Sequence, residues 1–163
     1  LKWILLLYTD SEWSGDKDDR KSVGRFLLFV NGVLVAWRSK KQKVVSLSSS
    51  EAEFYALAEA VKEIPFVIQI LAFLGVPVET PVTVYVDNIG AIFMSENPSS
   101  SSRTRHMSTR YFYVMDLQND KVIIVKFIGS AENLADICTK NVQVQVHEKH
   151  LDKVTADRSY VDE

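Results

Sequence analysis

Four acidic residues lie where a carboxylate is costly to keep. Asp10 closes an apolar, strand-like run that begins at Ile4, and Asp87 closes the run Val82-Thr83-Val84-Tyr85-Val86. Glu53 falls on the apolar stripe of a helical segment, and Asp136 follows Leu134 and Ala135 in a short helical pattern. A carboxylate in an apolar setting is strongly disfavoured unless a cation or a proton accompanies it. Acidic residues gathered by folding from four separate places suit a hard divalent cation, which takes oxygen ligands and assists chemistry at phosphate. No competing catalytic set is present: there is no GxSxG elbow, no HExxH pair and no glycine loop to cradle phosphate.

Glu53, Asp87 and Asp136, which alone would read as a surface helix aspartate, also have purely structural alternatives. At about 100° per residue, Phe54, Leu57, Val61 and Ile64 share a helical stripe, Glu53 lies one turn before Leu57 on it, and Glu51 points about 160° away from Glu53. Glu53 is therefore the glutamate aimed at a sheet. Both Ser48-x-x-Glu51 and Ser50-x-x-Glu53 match the capping box, a role that suits Glu51 better. Asp87-Asn88 could simply cap a helix after a strand, although ligands of open α/β sheets gather beyond the carboxyl ends of strands, where Asp87 lies. Asp16, Asp18 and Asp19, in GDKDDRKS, read as turn residues.

The elements that must position these groups follow from periodicity. Residues 5–9, 25–30 and 33–37 read as three strands, the last two joined by Asn31-Gly32, a strong hairpin signal. Three such strands in succession predict an antiparallel meander. Residues 50–74 are helical in period, with Pro65 starting a second helix, and Gly75 and Pro77 close that region. A buried, parallel-type strand is expected over 82–86, helices near 89–95 and 108–117, a strand over 122–128 and a short helix over 132–139. The serine run 99–102 is a loop by composition, and residues 141–163 form a polar tail after a domain spanning 1–140.

With 163 residues and 47% hydrophobic content, the chain is long enough for one domain with a real core. The net charge of -2 means that a polyanion would have to be bound by local patches. Two are available. Arg38, Lys40, Lys41 and Lys43 form one, the first three expected to lie beyond the third strand, and Arg103, Arg105 and Arg110, with His106 nearby, form the other. The single Cys138 excludes an internal disulfide framework or a multi-cysteine zinc site and fits a reducing compartment. No apolar run approaches membrane-spanning length, and a start at Leu1 suggests a piece of something longer.

The strings YTDSEWSGDKDDRKS, WRSKKQKVVSLSSSEAEFYALAEAVKE, VYVDNIGAI, SRTRH and ENLADICTK resemble, in order and spacing, the ribonuclease H domain of the polymerase polyprotein of copia-type LTR retrotransposons. The resemblance spans residues 5–140. It implies an α/β fold with a five-stranded mixed sheet, three antiparallel strands then two parallel, flanked by helices. It also implies hydrolysis of the RNA strand of an RNA–DNA hybrid with two Mg²⁺ ions, for which Mn²⁺ can substitute. The family's acidic tetrad falls on Asp10, Glu53, Asp87 and Asp136 as catalytic and metal-holding residues. Arg38, Lys40, Lys41, Arg103, Arg105 and His106 would hold nucleic acid. The partners implied are the hybrid and the reverse transcriptase domain of the same polyprotein, within a cytoplasmic virus-like particle and without a membrane. This chain departs from the family pattern in three places: no histidine in Phe127-Ile128-Gly129-Ser130, Ser108 and Phe112 after SRTRH, and Pro65-Phe66 where tryptophan is common. A module of the same fold that binds nucleic acid or packs on the polymerase without cleaving is the alternative reading.

Overall fold

The computed structural model describes residues 2–15, 18–97 and 108–138. Five strands, β1 (Leu5–Glu12), β2 (Val23–Val30), β3 (Val33–Lys41), β4 (Val82–Val86) and β5 (Ile123–Phe127), form one sheet in the order β3-β2-β1-β4-β5. The pairs β3-β2 and β2-β1 are antiparallel, and β1-β4 and β4-β5 are parallel, so the expected mixed sheet is present. Asn31 and Gly32 take positive φ (47° and 81°), as a two-residue hairpin turn requires. The Asn31 side chain also accepts the Ile4 N–H at 2.8 Å, which ties the turn to the start of β1.

Helices α1 (Ser49–Ala60), α2 (Glu63–Phe73), α3 (Ile89–Glu96) and α4 (Ser108–Asn119) complete the described fold, with two short 3-10 turns at Ser130–Glu132 and Leu134–Cys138. Alternate residues of a strand face opposite sides. Leu5 and Leu7, Phe26 and Leu28, and Val82, Val84 and Val86 therefore share the face that packs with Phe54 and Leu57 of α1 and Tyr111 and Val114 of α4. The rings of Phe54 and Tyr111 stack at 4.4 Å between centroids. On the other face, Leu27, Phe29 and Leu134 form a smaller cluster with Leu6, Tyr8 and Leu34.

α1 is enclosed over most of its circumference, not along one stripe: Ala52, Ala56, Ala58 and Ala60 are buried together with Phe54, Tyr55 and Leu57. Small side chains let it lie close to its neighbours, which broadens the buried surface beyond what the larger apolar residues mark out. Its break from α2 comes at Val61-Lys62, before Pro65, which occupies the third position of α2. There the missing N–H is one of the four a helix leaves unbonded at its start.

Several boundaries differ from the expectations. β1 continues through Asp10 to Glu12 because β2 pairs with it down to Val23, so Asp10 lies inside a strand. β3 likewise continues to Lys41, paired with Val23, so Arg38, Lys40 and Lys41 are in the strand and not beyond it. The region expected as a helix over 132–139 is instead 3-10 turn, since Asn133 breaks it. The loop 99–102 and the tail 141–163 lie outside the described residues.

Candidate metal centre and basic groove

Asp10, Glu53 and Asp87 meet at one point. One carboxylate oxygen from each lies within 4.8 Å of the others, and Asp10 and Glu53 are only 2% and 5% exposed. The sheet explains the first pair. Parallel pairing of Leu6 with Thr83 and Tyr8 with Tyr85, carried two residues further in the same register, places Asp10 beside Asp87 on the same face. Glu53 is brought in by α1, and its Oε1 accepts the Ser11 N–H of β1 at 2.9 Å.

Local sequence frees these side chains for the site. Ser48 is the cap of α1, accepting the Glu51 N–H, while Glu51 accepts the Leu47 N–H at 2.6 Å. Glu51 is thus occupied in a capping box and Glu53 is not. Similarly, Asn88, not Asp87, caps α3: its Oδ1 accepts the Ala91 N–H and the Ser50 hydroxyl, both at 3.0 Å. Gly90 makes this α1–α3 approach possible, since a Cβ there would overlap Ser50 Oγ and lie 2.9 Å from Ser50 Cβ.

The electrostatics of the cluster are unfavourable without a counter-charge. Two unit charges about 4 Å apart repel by about 4 kcal/mol at an effective dielectric constant of about 20. Burial, and then repulsion from Asp10 and Asp87, push the Glu53 carboxyl up to about 10, against a partial offset from the Ser11 N–H. Among the described residues no N–H or hydroxyl reaches Glu53 Oε2, and the neighbouring Asp10 carboxyl further favours the protonated form of Glu53. A largely buried, oxygen-only set of mutually repelling donors fits a hard divalent ion.

Asp136 is not one of the mutually close three. It is buried (7% exposed) in the Leu134–Cys138 turn, which Asn133 fastens to β1 by donating its Nδ2–H to the Thr9 carbonyl at 2.9 Å. Arg103, Arg105 and His106 lie outside the described residues.

Beside the carboxylates, between β2, β3, α1 and α4, runs a cavity of ≈ 320 Å³ whose lining includes Arg38, Lys40, Lys41, Lys43, Lys62 and Arg110. Gly24 and Ala56 also line it, the first paired with Ser11 of β1 and the second one turn beyond Glu53 on α1. Arg38 is held over the Phe26 ring at 5.2 Å and bonds Glu63 at 3.0 Å. Arg110 lies over the Tyr55 ring at 5.0 Å and pairs with Glu59 at 3.5 Å. Burial favours the neutral form of Glu59, but Lys62 and Arg110 outweigh it and hold its pKa below the usual range. Sequence reading separated Arg110 from the Arg38–Lys43 patch and passed over Lys62 and Tyr55; only the packing of α4 on α1 unites them.

No protein-family model matches the chain. It is 39% identical over 139 residues to the retrovirus-related Pol polyprotein of transposon TNT 1-94 from Nicotiana tabacum, a match covering 85% of this chain and 10% of that protein. It is 30% identical over 151 residues to the corresponding polyprotein of transposon RE1 from Arabidopsis thaliana, covering 93% and 10%. The chain thus spans about a tenth of the length of these curated relatives. Among solved structures it resembles the N-terminal RNase H domain of rv2228c from Mycobacterium tuberculosis, with a TM-score of 0.55 at 12% identity, covering 90% of this chain and 95% of that one. The LC11 RNase H1 in complex with an RNA/DNA hybrid gives a TM-score of 0.54 at 14% identity, covering 81% and 91%.

The chain has the ribonuclease H fold and is homologous to part of retrotransposon Pol polyproteins.

In this ribonuclease H-like chain, the acidic residues picked out from the sequence come from the first strand, the first helix and the fourth strand. The Ser11 backbone contact and the Asn88 latch carry no motif that periodicity could have revealed.

Proposed function

We propose that the chain cleaves the RNA strand of RNA–DNA hybrids, as the nuclease segment of a retrotransposon Pol polyprotein, and that Asp10, Glu53, Asp87 and Asp136 are its metal-holding and catalytic residues. The observation that carries this reading is the convergence of buried Asp10 and Glu53 with half-buried Asp87, from three distant parts of the sequence, within 4.8 Å in a ribonuclease H fold.

Asp10, Glu53 and Asp87 would hold a divalent ion, Mg²⁺ or Mn²⁺, with Asp136 serving a second from its neighbouring turn. When bound, such ions lower the pKa of a coordinated water and offset charge at the phosphate. The chain's own residues do the rest. Ser11 fixes Glu53 through its backbone N–H, so the glutamate presents its other oxygen, Oε2, in a set direction. Glu53 would also contact the 2′-hydroxyl that distinguishes RNA from DNA. Lys40, Lys41, Lys43 and Arg38 in the groove hold backbone phosphates, with Arg103, Arg105 and His106 assigned the same task. Contacts to phosphate position a duplex without reading its bases, so binding is largely independent of sequence.

The test is incubation of the purified chain with an end-labelled RNA–DNA hybrid in Mg²⁺, Mn²⁺ or EDTA. Shortening of the RNA strand alone, abolished by EDTA and by Asp10→Asn, is the expected result. Hybrid binding with no cleavage in either metal would instead favour the non-cleaving module.

A further inference from the structure

The eleven residues of α2, EIPFVIQILAF, include one charged side chain, Glu63, and one further polar one, Gln69. A helix with so little polar surface is normally enclosed on all sides. Here Ile64 and Leu71 are buried, but Phe66 is 59% and Phe73 91% exposed. Phe66, Ile70, Phe73 and Leu74 fall at i, i+4, i+7 and i+8 and therefore lie on one face, and all four are exposed. Large apolar side chains exposed singly are ordinary, whereas a contiguous stripe of them marks a contact surface. The helix is far shorter than the about 20 residues needed to cross a bilayer.

We propose that this face of α2 is an interdomain surface, covered by an apolar patch of the Pol polyprotein outside this segment. Two observations select that occupant. The homologous polyproteins are about ten times as long as this chain, so most of the protein in which such a segment works lies outside it. The path of the backbone supplies the second. The Trp3 N–H donates to the Pro77 carbonyl and the Trp3 carbonyl accepts the Glu79 N–H, both at 2.8 Å, so the start of the chain is fastened to the stretch that follows α2. Polypeptide joined to Lys2 would enter on that side and bring its own domain within reach of Phe73 and Leu74. Tethering makes the contact intramolecular, so a modest apolar patch suffices where two free proteins would need a larger one. This inference rests on the polyprotein context of the proposed function and not on cleavage.

Amide hydrogen exchange across α2 tests it, measured in the isolated chain and in the longer polyprotein that contains it. The α2 amides should exchange at least tenfold more slowly in the longer protein. The double variant Phe66→Gln/Phe73→Gln should restore fast exchange there, while leaving the melting temperature and hybrid cleavage of the isolated chain unchanged. Equal α2 exchange in both folded proteins would overturn the proposal. So would a concentration-dependent dimer of the isolated chain that the double variant abolishes, which would give the face to a second copy. Protection of α2 together with no cleavage in either protein would instead sink the nuclease reading alone.

Discussion

Glu53 keeps its proton over a range in which an exposed glutamate has long lost it, and this makes the metal-free protein sensitive to pH. Its folded pKa is raised from 4.5 to about 10 by burial and then by Asp10 and Asp87. Between those values the native state holds more protons than the unfolded chain, so stability is fully present below the unfolded pKa and is lost as pH rises towards the folded one. The slope for one such group is at most about 1.4 kcal/mol per pH unit. Thermal melts in EDTA from pH 5 to pH 9 should therefore show a falling melting temperature, and Glu53→Gln should flatten the fall. Asp10→Asn removes a neighbouring charge, so it should abolish cleavage while holding or raising metal-free stability and leaving hybrid binding nearly intact. A clear drop in its melting temperature in EDTA would contradict the crowded-carboxylate arrangement. At this scale the sequence was informative because burial and charge conflict visibly: a carboxylate at the end of an apolar run stands out, as Asp10 and Asp87 do. What it could not show was which donor steadies Glu53, because the Ser11 N–H lies 42 residues away and every residue but proline has such a donor.

At the scale of elements, the geometry of the centre depends on how closely α1 and α3 approach. Ser50 and Asn88 bond across that contact, and Gly90 leaves room for it. Gly90→Ala should destabilise the protein by about 1 to 3 kcal/mol, as overpacking of a tight contact does, and should lower cleavage more than hybrid binding because Asp87 is three residues away. Replacing Ser50 by glycine in the same chain should recover part of the loss, which denaturant titration of the single and double variants would reveal. Without that recovery, the glycine serves some purpose other than clearance. Strand order and helix positions were legible because β1, β2, β4 and β5 have clear apolar patterns and Asn31-Gly32 fixes a turn. The ends of β1 and β3 were not, since the polar residues Asp10 to Glu12 and Arg38 to Lys41 are held in the sheet by pairing with β2, which composition does not record. The enclosure of α1 was underestimated for a related reason, since its alanines carry little hydrophobic signal yet are buried by every neighbour.

At the scale of the molecule, an acidic centre and a basic groove lie side by side on a chain whose net charge is only -2. Lys40→Ala/Lys43→Ala should weaken binding to hybrids of every sequence and flatten the dependence of log affinity on log salt by roughly one unit per lost phosphate contact. Cleavage at saturating hybrid should change little. An unchanged salt slope would place the nucleic acid elsewhere. Arg38 is less suited to this test, because its contacts with Phe26 and Glu63 also brace β3 against α2. The register of the two central strands has a mechanical corollary. Parallel pairing of β1 with β4 is recorded from Leu6 to Tyr8 on one strand and Thr83 to Tyr85 on the other, and the next side chains on that face are Asp10 and Asp87. Like charges opposite one another on adjacent strands push them apart. A divalent ion held by Asp10 and Asp87 would act as a clasp at the open end of a zip, so its arrival should be felt along the sheet, as slower amide exchange at Thr9 and Asp10, before any substrate is present.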